Sequence, residues 1–447
     1  MSLSRFLKDR RGGVAPMFAI AVIPVFGLVG AAVDYSRANS VRAGMQSAID
    51  ATALAMAKLA PTLTQTQLQQ QTTAYFNAMF NHPEAKNLVI TPTYTTAGGS
   101  QLVISVSSSM DTTFMKIMGL PSLAIGSTST VKWGNSRLRV ALVLDNTGSM
   151  NDDGKMTALK SATNALLTQL KNAATNSADV YVSIIPFSKD VNVGSSNFGA
   201  SWIDWTDWDS KHGTCSSWWY NNKSDCQGAG KNWTPANHNT WNGCVVDRGR
   251  STGPSSNNYD TNVTAPGSSN SSKFSAEQYD SCPQSVLALT NSWTTMTTLV
   301  TNMSPNGNTN QGIGLAHGWM SLVGGGPYPT PPAKDPNYTY SDVIILLTDG
   351  LNTENRWYTD QTSIDTREQM TCDHINAANV NLYTIQVNTG GDPVSNLLKN
   401  CAGTAPGPNV SRKYPDPEKN FVVTSSSGIG TVFNQIGTNL SKLRIAK

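Results

Sequence analysis

A nearly pure apolar stretch lies close to the start of the chain. Residues 12–33, GGVAPMFAIAVIPVFGLVGAAV, hold no charged side chain. About 20 such residues are what a helix needs to cross a bilayer. Pro16 and Pro24 fall inside the stretch, and transmembrane helices tolerate proline. Arg5, Lys8, Arg10 and Arg11 precede it, whereas Arg37 and Arg42 follow it in the company of Asp34. That imbalance predicts a basic cytoplasmic tail at residues 1–11 and an exported remainder. The stretch is longer than the apolar core of a signal peptide and runs on into helix-like sequence, so an uncleaved anchor is expected.

Past residue 33, small and apolar residues recur at three- and four-residue spacing with Arg, Gln and Ser between them. This predicts a helix over about residues 34–82. The segment LVITPTYTTAGGSQLVISVSSSM then alternates as two strands broken at Gly98 and Gly99, and STSTVKW repeats the alternation. Residues 34–135 are thus expected to form a long helix and a small antiparallel sheet, ending near Gly134 and Asn135.

A different pattern starts at Arg137. RLRVALVLD is an apolar, β-rich run that ends in a carboxylate, and GKMTALKSATNALLTQL has helical spacing. ADVYVSIIPFS, SDVIILLTDG, VNLYTIQV and FVVT read as further strands, with GIGTVFNQIGTNLSKLRI as a closing helix. Continuous apolar strands alternating with helices predict an α/β domain over residues 136–447. Its sheet should be mostly parallel and Rossmann-like, with helices on both faces and ligands at the carboxyl ends of the strands.

Between about residues 190 and 291 this pattern gives way to Ser, Asn, Gly and Trp. Trp202, Trp205, Trp208, Trp218, Trp219, Trp233 and Trp241 lie there with four of the cysteines, which suggests a disulfide-stapled lobe inserted into the domain. The tryptophans could serve as a binding face or as the small core of the lobe.

Composition narrows the field. The 447 residues carry a net charge of +3 and only 14% charged side chains, against roughly 25% in ordinary soluble proteins. No basic patch of the kind that holds nucleic acid is present. Hydrophobic content of 39% is enough for real cores. The six cysteines, Cys215, Cys226, Cys244, Cys282, Cys372 and Cys401, include no CxxC pair. Outside the cytoplasm they are expected to pair as disulfides. The simplest pairing for the insert is Cys215 with Cys226 and Cys244 with Cys282. Cys372 and Cys401 flank one strand, as a third bridge or as buried thiols.

The candidate chemistry sits where strands end. In DNTGSM, Asp145, Thr147 and Ser149 alternate, presenting one carboxylate and two hydroxyls to a common point. Asp349 ends a later strand in LLTDG, and Thr309 lies in the polar loop NGNTNQGIGL that opens a helix. Carboxylate and hydroxyl oxygens in this density suit a hard divalent cation such as Mg²⁺ or Mn²⁺. An Asx-type turn with a helix cap would explain DNTGSM alone, but not the downstream Thr and Asp.

This D-x-T-x-S motif, followed by Thr309 and Asp349 in that order, resembles the metal-ion-dependent adhesion site of von Willebrand factor type A domains. The resemblance implies that Asp145, Thr147, Ser149, Thr309 and Asp349 hold Mg²⁺ or Mn²⁺, and that a partner's Asp or Glu completes the shell. More widely, the basic N-terminus, the run RRGGVAPMFAIAVIPVFGLVGAAVDYSRA, the small β-region and the ending FNQIGTNLSKLRIAK are similar to TadG-like proteins of tight-adherence (Flp) pilus assembly. This implies a TadE/TadG-like, pilin-like α+β region at 34–135. It also implies a single-pass inner-membrane protein, its bulk in the periplasm or at the cell surface, that binds other pilus-assembly or pilin-like proteins. Prepilin processing in such systems wants an acidic residue soon after the cleaved glycine; Val14, Ala15, Pro16 and Met17 follow Gly13, which favours a permanent anchor.

Rival readings are a surface adhesin for host or matrix ligands and, less well supported, a metal-dependent hydrolase. The five histidines show no HExxH spacing and read as surface or capping residues. TGSM is not the G-x-S-x-G elbow. Asp152 and Asp153 would be the nearest bases, in a solvated loop at a helix start. Asp204, Asp207 and Asp209 lack the Gly and Glu of an EF-hand loop. No enzymatic activity is expected.

Overall fold

The computed structural model describes residues 14–96, 100–133, 136–249, 253, 255, 258–336, 338–389, 391–402 and 420–445. The expected tail at 1–11, the Gly98–Gly99 turn and the boundary at Gly134 and Asn135 lie outside them. The chain divides into two compact units, Met1–Asn135 and Ser136–Ala446.

In the first unit, helix α1 (Val14–Ala57) runs unbroken for 44 residues with Pro24 inside it. Its second half carries Ala38, Val41, Met45, Ile49, Ala53 and Met56 in a buried stripe at three- and four-residue spacing. The single helix expected over 34–82 is in fact two. Pro61 sits in a 3₁₀ turn, Ala60–Thr62, and Thr64 and Gln67 form a capping box that starts helix α2 (Gln65–Met79) afresh. Strands β1 (Ala85–Thr95), β2 (Ser100–Asp111) and β3 (Ser122–Trp133) form an antiparallel sheet in that order. Leu102, Ile104, Val106 and Met110 alternate along β2 and close the core against α1 and against Leu68 and Phe76 of α2.

The second unit is an α/β fold with the expected mostly parallel sheet. Strands β4 (Ser136–Asp145) and β5 (Val180–Phe187) are joined by helix α3 (Lys155–Ala173). Residues from 188 to 286 supply β6 (Val191–Asn192), β7 (Ile203–Asp204), β8 (Gly213–Cys215), β9 (Trp233–Pro235), β10 (Cys244–Val246) and β11 (Phe274–Glu277). Then follow β12 (Leu287–Thr290), α4 (Trp293–Asn302), α5 (Gln311–Val323), β13 (Thr339–Thr348), α6 (Gln361–Ala377), β14 (Asn381–Val387), α7 (Asn396–Cys401), β15 (Phe421–Thr424) and α8 (Ile429–Ile445).

The order β15-β14-β13-β4-β5 is parallel throughout, and β12 pairs with β5 antiparallel. Successive residues of β4 face opposite cores. Leu138, Val140, Leu142 and Leu144 pack under α3, α4 and α8, while Ala141 and Val143 pack under α5. Helix α5 lies close to the sheet because Gly314 and Gly318 leave room for it; a Cβ there would overlap Phe187 and Val143 respectively. The chain leaves β4 on one side of the sheet and returns to β13 on the other, so the carboxyl ends of β4 and β13 form the topological switch point.

The insert is not a separate lobe. Its strands continue the main sheet in the order β5-β6-β10-β11-β7, and among the described residues only the β8–β9 hairpin stands apart. Trp208 and Trp241 are buried, in one cluster with Val245 and Phe274, whereas Trp218 and Trp219 are stacked on each other at the surface, 80% and 72% exposed. Cysteines pair as Cys215–Cys226, Cys244–Cys282 and Cys372–Cys401, with Cα–Cα separations of 5.8, 5.8 and 5.0 Å.

Phe433 of α8 is fully buried in the cluster with α3. Phe433→Ala is expected to lower unfolding free energy by about 3–5 kcal/mol, and Trp218→Ala by less than about 0.5 kcal/mol. Denaturant titration of the two variants checks this ranking.

Candidate metal centre

At the switch point β4 ends in Asp145 and β13 runs into Asp349. Asp145 is fully buried and firmly oriented. Its Oδ1 accepts the Thr147 N–H at 2.8 Å and its Oδ2 accepts the Thr348 hydroxyl at 2.6 Å. Thr147 Oγ1 lies 3.2 Å from Ser149 Oγ, and that hydroxyl donates to Asp349 Oδ1 at 2.7 Å. Four of the five residues singled out in the sequence therefore form one hydrogen-bonded set. Burial first, and then the Asp349 carboxylate, push the Asp145 carboxyl up to about 7.

Thr309, the fifth, is buried on the neighbouring loop but outside that hydrogen-bonded set. Its carbonyl accepts the Thr353 N–H at 2.9 Å, and its own N–H donates to Thr353 Oγ1 at 2.9 Å. The loop is fastened to the DNTGSM turn by Asn146. The Asn146 side chain donates to the Ser304 carbonyl at 2.7 Å, its carbonyl accepts the Asn306 N–H at 2.8 Å, and the Gly148 N–H donates to the Gly307 carbonyl at 2.9 Å.

Sequence reasoning missed Lys155. This first residue of α3 is buried, and its ammonium donates to Asp349 Oδ2 at 2.8 Å and to the Ser149 carbonyl at 3.2 Å. It neutralises one of the two acids and leaves Asp349 Oδ1 facing Ser149. No spacing rule flags a lysine six residues after a motif; only the approach of α3 to β13 reveals it. Thr348 was hidden in plain view as the last residue of an apolar strand.

The set fits a divalent cation on donor chemistry. It offers only oxygen, from two carboxylates and flanking hydroxyls, and the two acids crowd one buried corner that a cation would neutralise. Waters or other groups from outside the chain would have to complete such a shell.

The insert reaches the rim of this site. Tyr279 Oη accepts the Asn308 N–H at 3.0 Å, and a Cβ on Gly307 would overlap Tyr279. Glu354 donates its N–H to the Thr309 carbonyl at 3.3 Å and lines a cleft of about 410 Å³ with Lys189, Trp208, Lys211, Glu277 and Arg356. Behind Lys189, Asp190 is fully buried with neither carboxylate oxygen hydrogen-bonded, and burial raises its pKa well above the ordinary value.

Of the residues set aside in the sequence, one histidine differs from expectation. His317 is not a surface residue: it is buried in α5, with Nδ1 3.0 Å from Tyr328 Oη, and desolvation lowers its pKa to about 3. Asp204, Asp207 and Asp209 do not converge. They bind Thr206, Arg356 and His238 separately. Asp152 and Asp153 are exposed, as expected of a solvated loop.

Residues 12–58 match the family model for Flp pilus-assembly TadE/G-like proteins. No curated protein matches the chain. Among solved structures, the pilus adhesin SpaC from Lactobacillus rhamnosus GG is similar at 12% identity and a TM-score of 0.38, over 82% of this chain and 35% of that one. This chain thus spans about a third of SpaC. The von Willebrand factor domain of the type V pili tip protein Mfa5 from Porphyromonas gingivalis is similar at 9% identity and a TM-score of 0.38, over 70% and 97%. Proximal thread matrix protein 1 from the mussel byssus, solved with zinc in its MIDAS motif, is similar at 11% identity and a TM-score of 0.32, over 67% and 46%.

Glu368 of α6 supports the site from behind. Its Oε2 accepts Asn352 Nδ2 at 2.8 Å, and Asn352 Oδ1 in turn accepts the Gln311 N–H that opens α5. Burial pushes the Glu368 carboxyl up to about 8. A raised carboxyl pKa contributes stability that is fully present below the ordinary value and lost as pH rises through the folded value. Between about pH 4.5 and 8 the thermal midpoint of the native chain should therefore fall more steeply than that of Glu368→Gln. Parallel curves in a pH series of melting scans would contradict this.

Proposed function

We propose that this protein is a membrane-anchored, extracytoplasmic component of Flp (Tad) pilus assembly that binds a protein partner through a divalent metal. The carrying observation is the hydrogen-bonded set of Asp145, Thr147, Ser149 and Asp349 at the switch point of a parallel sheet. Together with Thr309 these side chains would hold Mg²⁺ or Mn²⁺. When bound, the ion would offer an open coordination position to a carboxylate of the partner.

The chain's own residues do the rest. Thr147 N–H and Thr348 Oγ1 fix the orientation of Asp145. Lys155 keeps Asp349 from opposing Asp145 with a full uncompensated charge. Asn146 ties the Thr309 loop to the first turn. The cleft beside the Thr309 loop provides both signs of charge, from Lys189 and Arg356 and from Glu277 and Glu354, for residues flanking the partner's Asp or Glu. Other pilus-assembly or pilin-like proteins are the partners we assign, because the family match falls on the anchor and the start of the small domain.

The basic residues ahead of α1 orient the chain with its N-terminus in the cytoplasm. Its bulk then lies in the periplasm, on an inner-membrane anchor. The three disulfides accord with an oxidising compartment.

The test is a melting series on the full chain in detergent, with EDTA, Mg²⁺ or Mn²⁺. A ligand that binds only the native state stabilises it by about 2.7 kcal/mol at a hundredfold excess over Kd. We expect a metal-dependent rise in midpoint that Asp145→Ala abolishes. A rise that persists in Asp145→Ala would place the ion elsewhere and overturn the assignment.

A further inference from the structure

The segment between β2 and β3 is an apolar loop laid against the anchor helix. Phe114, Ile117, Met118 and Leu120 are all exposed, Ile117 at 85%. The loop is not a frayed tip. Its base is closed by the Thr112 N–H on the Pro121 carbonyl at 3.1 Å, and its middle is a 3₁₀ turn, Met115–Met118. Asp34 of α1 receives the N–H groups of Thr113, Phe114 and Met115 at 3.0, 2.8 and 2.8 Å, capping that turn. Arg37 adds a bond to Thr113 Oγ1 at 3.2 Å.

From this clamp the loop descends toward the N-terminal end of α1. A Cβ on Gly30 would overlap Phe114, and one on Gly27 would come within 3.3 Å of Met118 Sδ. The seven residues from Gly27 to Val33 span about 10 Å of helix ahead of Asp34. Those residues belong to the charge-free run that ends at Val33, and Phe26, Leu28 and Val29 beside them are exposed too. Thus the loop's apolar side chains continue the apolar surface of the anchor at the same depth. The loop's only charged residue, Lys116, has a stem long enough to return its ammonium to water.

We infer that residues 113–120 insert into the outer leaflet of the bilayer that α1 crosses, so that the small domain meets lipid at two points rather than one. This rests on reading α1 as the membrane span. The depth fits apolar elements that sit about 5–10 Å into the headgroup and acyl boundary. Asp34 is what makes the descent affordable: three backbone donors at the membrane edge find a carboxylate instead of hydrocarbon.

The test uses the full chain in phosphatidylethanolamine–phosphatidylglycerol vesicles. Its six native cysteines are all paired, so a nitroxide can be attached through Ile117→Cys, Phe26→Cys or Leu54→Cys. Leu54 is exposed on α1, twenty residues past Asp34, and serves as the aqueous reference. Collision with oxygen reports lipid, and collision with a nickel chelate reports water. We expect the oxygen-to-nickel ratio at Ile117 to match that at Phe26 and to exceed that at Leu54 several-fold. A lipid-like Phe26 site with a water-like Ile117 site overturns the inference and leaves the anchor standing. An Ile117 site shielded from both reagents also overturns it, because protein would then cover the loop. A water-like Phe26 site removes the anchor reading, and the inference with it.

Discussion

Two buried acids at the ends of adjacent parallel strands govern the second unit. Asp145 and Asp349 share a corner from which water is largely excluded, and like charges there repel strongly. The surroundings answer that problem in layers. Thr348 and the Thr147 amide hold Asp145, Ser149 and Lys155 hold Asp349, and Asn146 draws in the Thr309 loop. The sheet sets the problem, since only a switch in strand order brings these two strand ends together with diverging loops. A ligand of positive charge is the remaining element that would let Asp145 ionise fully.

Much of this was legible from the pattern of residues alone. The strands of the parallel sheet are buried on both faces, so they stand out as continuous apolar runs ending in Asp145 or Asp349. Their order along the chain was enough to place both acids on one sheet edge. Hydroxyl spacing in DNTGSM added Thr147 and Ser149. Proximity along the chain suggested the two bridges of the insert, while Cys372 and Cys401 were left open between a bridge and buried thiols.

What escaped depends on contacts distant in sequence. The insert's strands β6, β7, β10 and β11 are two to four residues long, too short for any periodicity, and they form because an existing sheet edge offers them partners. Lys155 and His317 look like ordinary polar positions until α3 and α5 are packed on the sheet. Pro61 was visible, but the helical spacing on either side of it outweighed the break. Apart from Pro61, where the break and the capping box after it are local, tertiary packing decided what local pattern left open.

Helix α1 has a consequence of a mechanical kind. At 1.5 Å per residue its 44 residues extend about 66 Å, roughly twice the hydrocarbon thickness of a bilayer. The same unbroken helix that carries the apolar run also supplies the core of the three-stranded sheet, with no hinge between the two roles. With α1 as the proposed membrane span, a bilayer thicker or thinner than the apolar run would be met by a change in helix tilt. Because the sheet is built onto that helix, the sheet must tilt with it. On that proposal, bilayer thickness would become a setting for the angle at which the small domain is presented.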